Sequence, residues 1–99
     1  MKISVIIASC GRPKMLLDML RSLAATTFLL DVEVEVVAAI DDDDVSKNMF
    51  LGFGRYLDYL LDYSPERRGA LVAWNRSLKL SSGDIIIPAG DDQLFHENW

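Results

Sequence analysis

At 99 residues, about half apolar and a quarter charged, the chain has the size and balance of one ordinary globular domain spanning 1–99. The net charge is −5, and no stripe of Lys and Arg runs through the chain, which excludes nucleic acid held by charge as a partner. Cys10 is the only cysteine, which excludes a disulfide framework and a thiolate zinc site and makes a reducing, cytoplasmic compartment the expectation.

The opening "KISVIIA", Lys2 to Ala8, is continuous, β-branched and apolar, as a strand covered on both faces reads. It is too short to cross a bilayer and has no basic leader before it, so no transmembrane segment is expected. After the turn "SCGR", Pro13 stands at a plausible first helical position. Met15, Leu16, Met19, Leu20 and Leu23 then recur at helical spacing, with Met15, Met19 and, later, Met49 read as core filling. "VEVEVVAAI", Val32 to Ile40, is a second strand that alternates at first and then becomes wholly apolar. A short helix is expected over Val45 to Leu51. In "LDYLLDY" the period is two, which predicts a third strand near Tyr59 to Tyr63, with helix as the alternative. "ALVAWNRSLKLSSG" reads as a helix closed by Gly83 as its C-terminal cap, and "DIIIPA" as a fourth strand.

Strands and helices therefore alternate, which predicts an α/β, Rossmann-like parallel sheet with helices on both faces. Right-handed crossovers make 3-2-1-4 the expected strand order. Ligands of such sheets bind outside the carboxyl ends of the strands, at the reversal of strand order.

Six of the fifteen acids lie in two knots, Asp41 to Asp44 and Asp91 with Asp92. Each knot ends a predicted strand, so the topology brings both to one edge of the sheet. Facing carboxylates raise one another's pKa or recruit a cation, and oxygen-only ligands suit Mg²⁺ or Mn²⁺. The helix N-terminus after Gly11-Arg12-Pro13, with Arg12, Arg67 and Arg68, favours an anion at the same edge. Acids, a helix N-terminus and arginines together suit a metal-bridged diphosphate. There is no P-loop sequence, no EF-hand loop, and a single His, His96, which reads as a surface residue. Trp74 and Trp99 read as packing residues rather than sugar platforms.

The segments "ISVIIASCGRPKMLLDMLRSL", "VVAAIDDDD" and "RRGALVAWNRSLKLSSGDIIIPAGDDQLFHENW" resemble the nucleotide-binding half of the family-2 glycosyltransferases of GT-A fold. "SSGDIIIPAGDD", in register with Gly69 and Asn75, is the more specific part of the resemblance. The family implies a nucleotide-diphosphate sugar donor, most often UDP-linked, and a Mn²⁺ or Mg²⁺ ion. Carried over by position, Asp42 with Asp41 would hydrogen-bond the base, and the backbone at Ala8 and Ser9 would line base and ribose. Asp91 would be the metal ligand of the family's Asp-x-Asp, with Asp92 beside it and Ala89 in place of the first acid. Arg68 falls near a position with a basic or polar contact.

Family members continue past this motif into a half that binds the acceptor and supplies a carboxylate base, so the chain reads as a donor-binding module without that half. If active, it would be an inverting, metal-dependent glycosyltransferase. The alternatives are a nucleotide-binding or regulatory module without turnover, and a structural domain whose acids are incidental. The missing cover predicts a homodimer with Leu94, Phe95 and Trp99 near the interface, or a separate acceptor-binding chain as partner.

Overall fold

A computed structural model describes residues 1–27, 32–52 and 58–90. In chain order it contains β1 (Lys2–Ser9), α1 (Pro13–Thr27), β2 (Glu33–Asp41), α2 (Asp44–Gly52), β3 (Asp58–Ser64), α3 (Ala70–Leu80) and β4 (Ile85–Gly90). The four strands form one sheet in the order β3-β2-β1-β4, every pair parallel. This is the order expected from the sequence. Period two over "LDYLLDY" settles as strand, since Tyr59 and Leu61 pair with Val36 and Ala38 of β2.

The two faces of the sheet are packed differently. Val5 and Ile7 of β1 and Val34, Val36, Ala38 and Ile40 of β2 join Leu16, Met19, Leu20 and Leu23 of α1 and Phe50 of α2 in one core. The α1 residues recur at i, i+3, i+4 and i+7, so they form a single stripe. Met15 lies roughly a quarter-turn off that stripe and is exposed, against the expectation that it fills the core. Met19 is fully buried and Met49 packs against the core's margin, as expected.

Side chains alternate along a strand, so Ile6, Val37 and Ala39 turn to the other face. There α3 packs across β1, β2 and β3. It buries small residues, Ala73 and Ser77, one helical turn apart. The Ser77 hydroxyl is satisfied within the helix, donating to the Ala73 carbonyl at 3.1 Å. Small side chains let the helix axis lie close to the sheet, and the larger Leu71 and Leu78 are left outside.

Gly83 does not cap α3. The helix closes at Ser81, whose N–H bonds the Leu78 and Ser77 carbonyls, and Gly83 is not among the glycines with positive φ. Its role is close approach: a Cβ there would stand 2.5 Å from Ser4 Oγ and 2.6 Å from the Ser4 backbone nitrogen. The Gly83 N–H instead donates to Ser4 Oγ at 2.8 Å. Around this contact a polar lock ties the N-terminal ends of the strands to the α3–β4 connection. Glu35, 2% exposed, accepts from the Ser4 hydroxyl, from the Ser82 N–H at 2.6 Å and from the Ser82 hydroxyl at 3.0 Å. Lys2 Nζ pairs with it at 3.2 Å. Burial alone would raise the Glu35 carboxyl, but these donors outweigh it and hold it down at about 2.

β4 is an edge strand among the described residues and carries Pro88, whose missing N–H is tolerated at an edge. Leu94, Phe95 and Trp99, the expected interface residues, lie outside the described residues, as do Asp91, Asp92 and His96. Among the described residues no helix is long and apolar enough to cross a membrane.

Candidate functional site

At the carboxyl ends of β1 and β2, next to the reversal of strand order between β1 and β4, the chain forms an open cavity of about 270 Å³. Ala8, Ser9, Cys10 and Arg12 line one side. Asp41 ends β2 at its floor, and Arg67, Gly69, Ala73 and Trp74 complete the wall. Loops end where their strands end, so residues 33 positions apart, Ala8 and Asp41, meet here because β1 and β2 run side by side.

The knot at 41–44 does not act as one body of charge. Each acid has its own structural assignment. Asp41, nearly buried, accepts from Arg76 Nη1 through Oδ1 and from the Arg68 N–H through Oδ2 at 3.0 Å. Arg76 reaches it from the second turn of α3. Its Nε donates to Asp62 Oδ2 at 3.1 Å, and its Nη2 to the Asp62 carbonyl at 2.8 Å. Hydrogen bonding to Asp62 foremost, joined by Asp41 and opposed by burial, raises the guanidinium above its ordinary value. Asp43 caps α2. It accepts from the Ser46 N–H at 3.0 Å, from the Ser46 hydroxyl, and from the Gly11 N–H at 2.9 Å. Burial pushes the Asp43 carboxyl up, yet the Ser46 and Gly11 donors win and lower it. Asp44 is exposed and accepts from the Tyr63 hydroxyl at 2.7 Å, with Lys47 Nζ 3.6 Å away. Asp42 is exposed, with φ at 44°, in the left-handed region that Asp tolerates better than most residues. Its N–H donates to the Ser64 carbonyl at 2.7 Å.

Of the residues expected at the site, Ala8, Ser9 and Asp41 line the cavity. Asp42 and Arg68 flank it without forming its wall. Arg68 contributes its backbone N–H to Asp41 and donates from Nε to Ser64 Oγ at 3.1 Å. Arg12 and Arg67 do line the wall, as their charge suggested, while Asn75 is exposed on α3. Asp91 and Asp92 lie outside the described residues; β4, which precedes them in the chain, pairs with β1 up to Ala8 and Gly90. Among the described residues no three His, Cys, Asp or Glu side chains converge as a metal site. Ala89, at the first position of the acidic motif, is 1% exposed and belongs to the core.

Three features of the site escaped the sequence. Trp74, expected as packing, forms part of the wall. The N-terminus of α3 opens at the cavity, because Gly69, with φ at 91°, has no side chain with which to cap it. Arg76 is the third. Nothing in the sequence singles it out, since the acid knots read as recruiting a divalent cation and Arg12, Arg67 and Arg68 as favouring an anion.

Similarity to known proteins points the same way. S. aureus TarS 1–349, in a crystal structure in complex with UDP, is 26% identical and superposes with a TM-score of 0.83 over 93% of this chain. The crystal structure of S. aureus TarS matches at 25% identity with a TM-score of 0.81. The mannosyltransferase PcManGT from Pyrobaculum calidifontis, in complex with GDP-Man and Mn²⁺, is 22% identical with a TM-score of 0.73 over 94% of this chain, a likeness of fold. The chain spans 17% of TarS, 28% of the TarS 1–349 chain and 28% of the PcManGT chain. No curated protein matches. The fold is that of the nucleotide-binding half of a GT-A glycosyltransferase, and the profile described as "Glycosyl transferase family 2" matches residues 4–99. This chain belongs to glycosyl transferase family 2.

Proposed function

We propose that the cavity binds the nucleoside end of UDP or a UDP-sugar, and that Asp91 and Asp92 hold a Mn²⁺ or Mg²⁺ ion on the diphosphate. The observation that carries this reading is the placement of a nearly buried carboxylate, Asp41, in the wall of an open cavity at the carboxyl ends of β1 and β2, beside the strand-order reversal. Ala8 and Ser9 stand beside base and ribose, with Asp42 at the rim. Arg12, Arg67 and the uncapped N-terminus of α3 favour the negative end of the ligand. A volume of about 270 Å³ falls just under the range of roughly 300–1,000 Å³ for whole small-molecule sites, so it suits the nucleoside rather than the entire donor. The UDP complex of TarS, 26% identical, supports uridine as the base.

The ion would screen the acids from the phosphates, which they would otherwise repel. Transfer is proposed only together with an acceptor-binding half, on the same chain or another. Asp41 is the one carboxylate among the described residues lining the cavity, and Arg76 and the Arg68 N–H already engage it, so it is not placed to act as a general base. That engagement favours a binding role for the wall described here.

Calorimetry tests the proposal. UDP binds in the presence of Mn²⁺ and loses affinity in excess EDTA; Asp91→Ala removes that metal dependence. Asp42→Ala weakens uridine and UDP alike, since it acts on the nucleoside. Equal UDP affinity with and without EDTA would refute the metal-bridged reading.

A further inference from the structure

The cavity's acid is held by a fork from outside the cavity. Arg76 is absent from the wall, yet it is largely shielded from solvent, and its guanidinium contacts are specified at both ends. One end grips Asp62 on β3, through Nε to Oδ2 at 3.1 Å, Nη2 to Oδ1 at 3.2 Å and Nη2 to the carbonyl at 2.8 Å. The other end reaches Asp41 through Nη1. A planar guanidinium fixed by several bonds at one edge cannot swing, so the position of Nη1, and with it Asp41 Oδ1, is set by Asp62. The Arg68 N–H fixes Oδ2. Both oxygens of Asp41 are thereby oriented, and each keeps a lone pair for the cavity. A carboxylate offers acceptors only.

We propose that Arg76, itself anchored by Asp62, is the positioning residue that makes the cavity selective for bases presenting a ring N–H to Asp41. This rests on the nucleotide reading above and adds its selectivity. Uracil presents N3–H, and guanine N1–H, at the edge that would meet an acceptor. Cytosine presents a bare N3 there and adenine a bare N1, each of which sets lone pair against lone pair. The energetic basis is asymmetric: a buried acceptor facing another acceptor loses its water without gaining a bond. The pyrimidine pair is the cleaner comparison, because UDP and CDP share size, ribose and diphosphate.

The experiment measures UDP and CDP affinities by calorimetry in excess Mn²⁺ for the wild-type chain and for Arg76→Met, Arg76→Lys, Asp62→Ala and Asp41→Asn, with circular dichroism as the check of folding. The wild-type chain prefers UDP by roughly tenfold or more. Arg76→Met brings the ratio close to one. Asp62→Ala lowers it less, because Nη1 keeps Asp41 and Nη2 keeps the Asp62 carbonyl, and Arg76→Lys restores part of it by charge without the fork. Asp41→Asn turns the preference toward CDP, since its amide can donate to the cytosine N3. A purely structural Arg76 would weaken both nucleotides equally, and an unchanged ratio in folded Arg76→Met overturns the proposal. If Arg76→Met does not fold, Asp62→Ala decides by the same ratio. A wild-type chain that binds both nucleotides equally overturns this inference alone. One that binds neither overturns the nucleotide reading and this inference with it.

Discussion

Replacing Glu35 by Gln tests how much of the fold rests on one buried charge. The carboxylate sits on the α3 side of β2 and gathers donors from three places in the chain: Ser4 on β1, Lys2 at its start, and Ser82 after α3. Gln keeps the shape and one acceptor, but puts an NH₂ where donors converge and removes the charge facing Lys2. A carboxyl brought from 4.5 to about 2 by folding corresponds to roughly 3 kcal/mol at neutral pH, at about 1.4 kcal/mol per tenfold change in proton affinity. For a domain whose total stability is about 5–15 kcal/mol, that is a large share. With a urea slope of about 2 kcal/mol/M, Glu35→Gln lowers the unfolding midpoint by roughly 1.5 M at pH 7. The folded-state value is depressed, so this stabilisation is fully present above pH 4.5 and is lost as pH falls from there through about 2. The assay is urea unfolding of both proteins at intervals from pH 7 to pH 2. The gap between their stabilities is widest at neutral pH and closes across that window. Other acids, Asp43 among them, titrate alike in both proteins and cancel in the difference. A gap that stays constant with pH would show that the carboxylate is not stabilised by its neighbours, and the account of the lock would fail.

Two further substitutions probe the frame around the site. Gly83→Ala forces a methyl against Ser4 Oγ and, at 2.6 and 3.0 Å, against the backbone of Ser4 and Ile3, so it costs about 2 kcal/mol or more by thermal unfolding. Adding Ser4→Ala removes only the side-chain part of that clash and does not restore stability. Asp43→Ala leaves the Ser46 and Gly11 N–H groups without their acceptor and costs about 1–2 kcal/mol, with Asp43→Asn milder because an oxygen remains. The Asp43 carboxyl is lowered in the folded state, so chemical denaturation shows the Asp43→Ala penalty shrinking as pH falls below the ordinary range of Asp.

The parts of this fold legible in the sequence are those with a local signature. β1 is a continuous apolar run, β2 alternates and then becomes wholly apolar, α1 carries a four-residue stripe, and Pro13 and Gly69 mark helix starts. Alternation of these elements, with right-handed crossovers, is enough to order the sheet and to bring Ala8, Ser9 and Asp41 to one edge. Glu35 was not legible as a buried group. In "VEVEVV" it continues an alternation that puts acids outward, and only the meeting of Ser4, Lys2 and Ser82, up to 47 residues away, makes its burial tolerable. Gly83 was misread for the same reason. A glycine just past a helix suggests a cap, and the neighbour that excludes a side chain there is a strand 79 residues earlier.

Arg76 shows where a linear reading of charge fails. Four adjacent aspartates invite the question of what single cation neutralises them, and a linear reading answers with a divalent metal ion. The folded chain instead separates the four. Successive side chains at the end of a strand leave in different directions, so Asp41 turns toward α3, Asp43 turns back to cap α2, and Asp42 and Asp44 meet solvent. Only Asp41 then needs a strong counter-charge, because only it combines near-complete burial with a place in the cavity wall. Its partner must come from an element lying over the carboxyl end of β2 on that face. α3 is the helix packed there, and Arg76 is the cation it brings next to Ser77 on its sheet-facing side. The same packing that requires Ala73 and Ser77 to be small brings Arg76 within reach of β3 and β2, so the closeness of α3 to the sheet and the fixing of Asp41 are one structural fact.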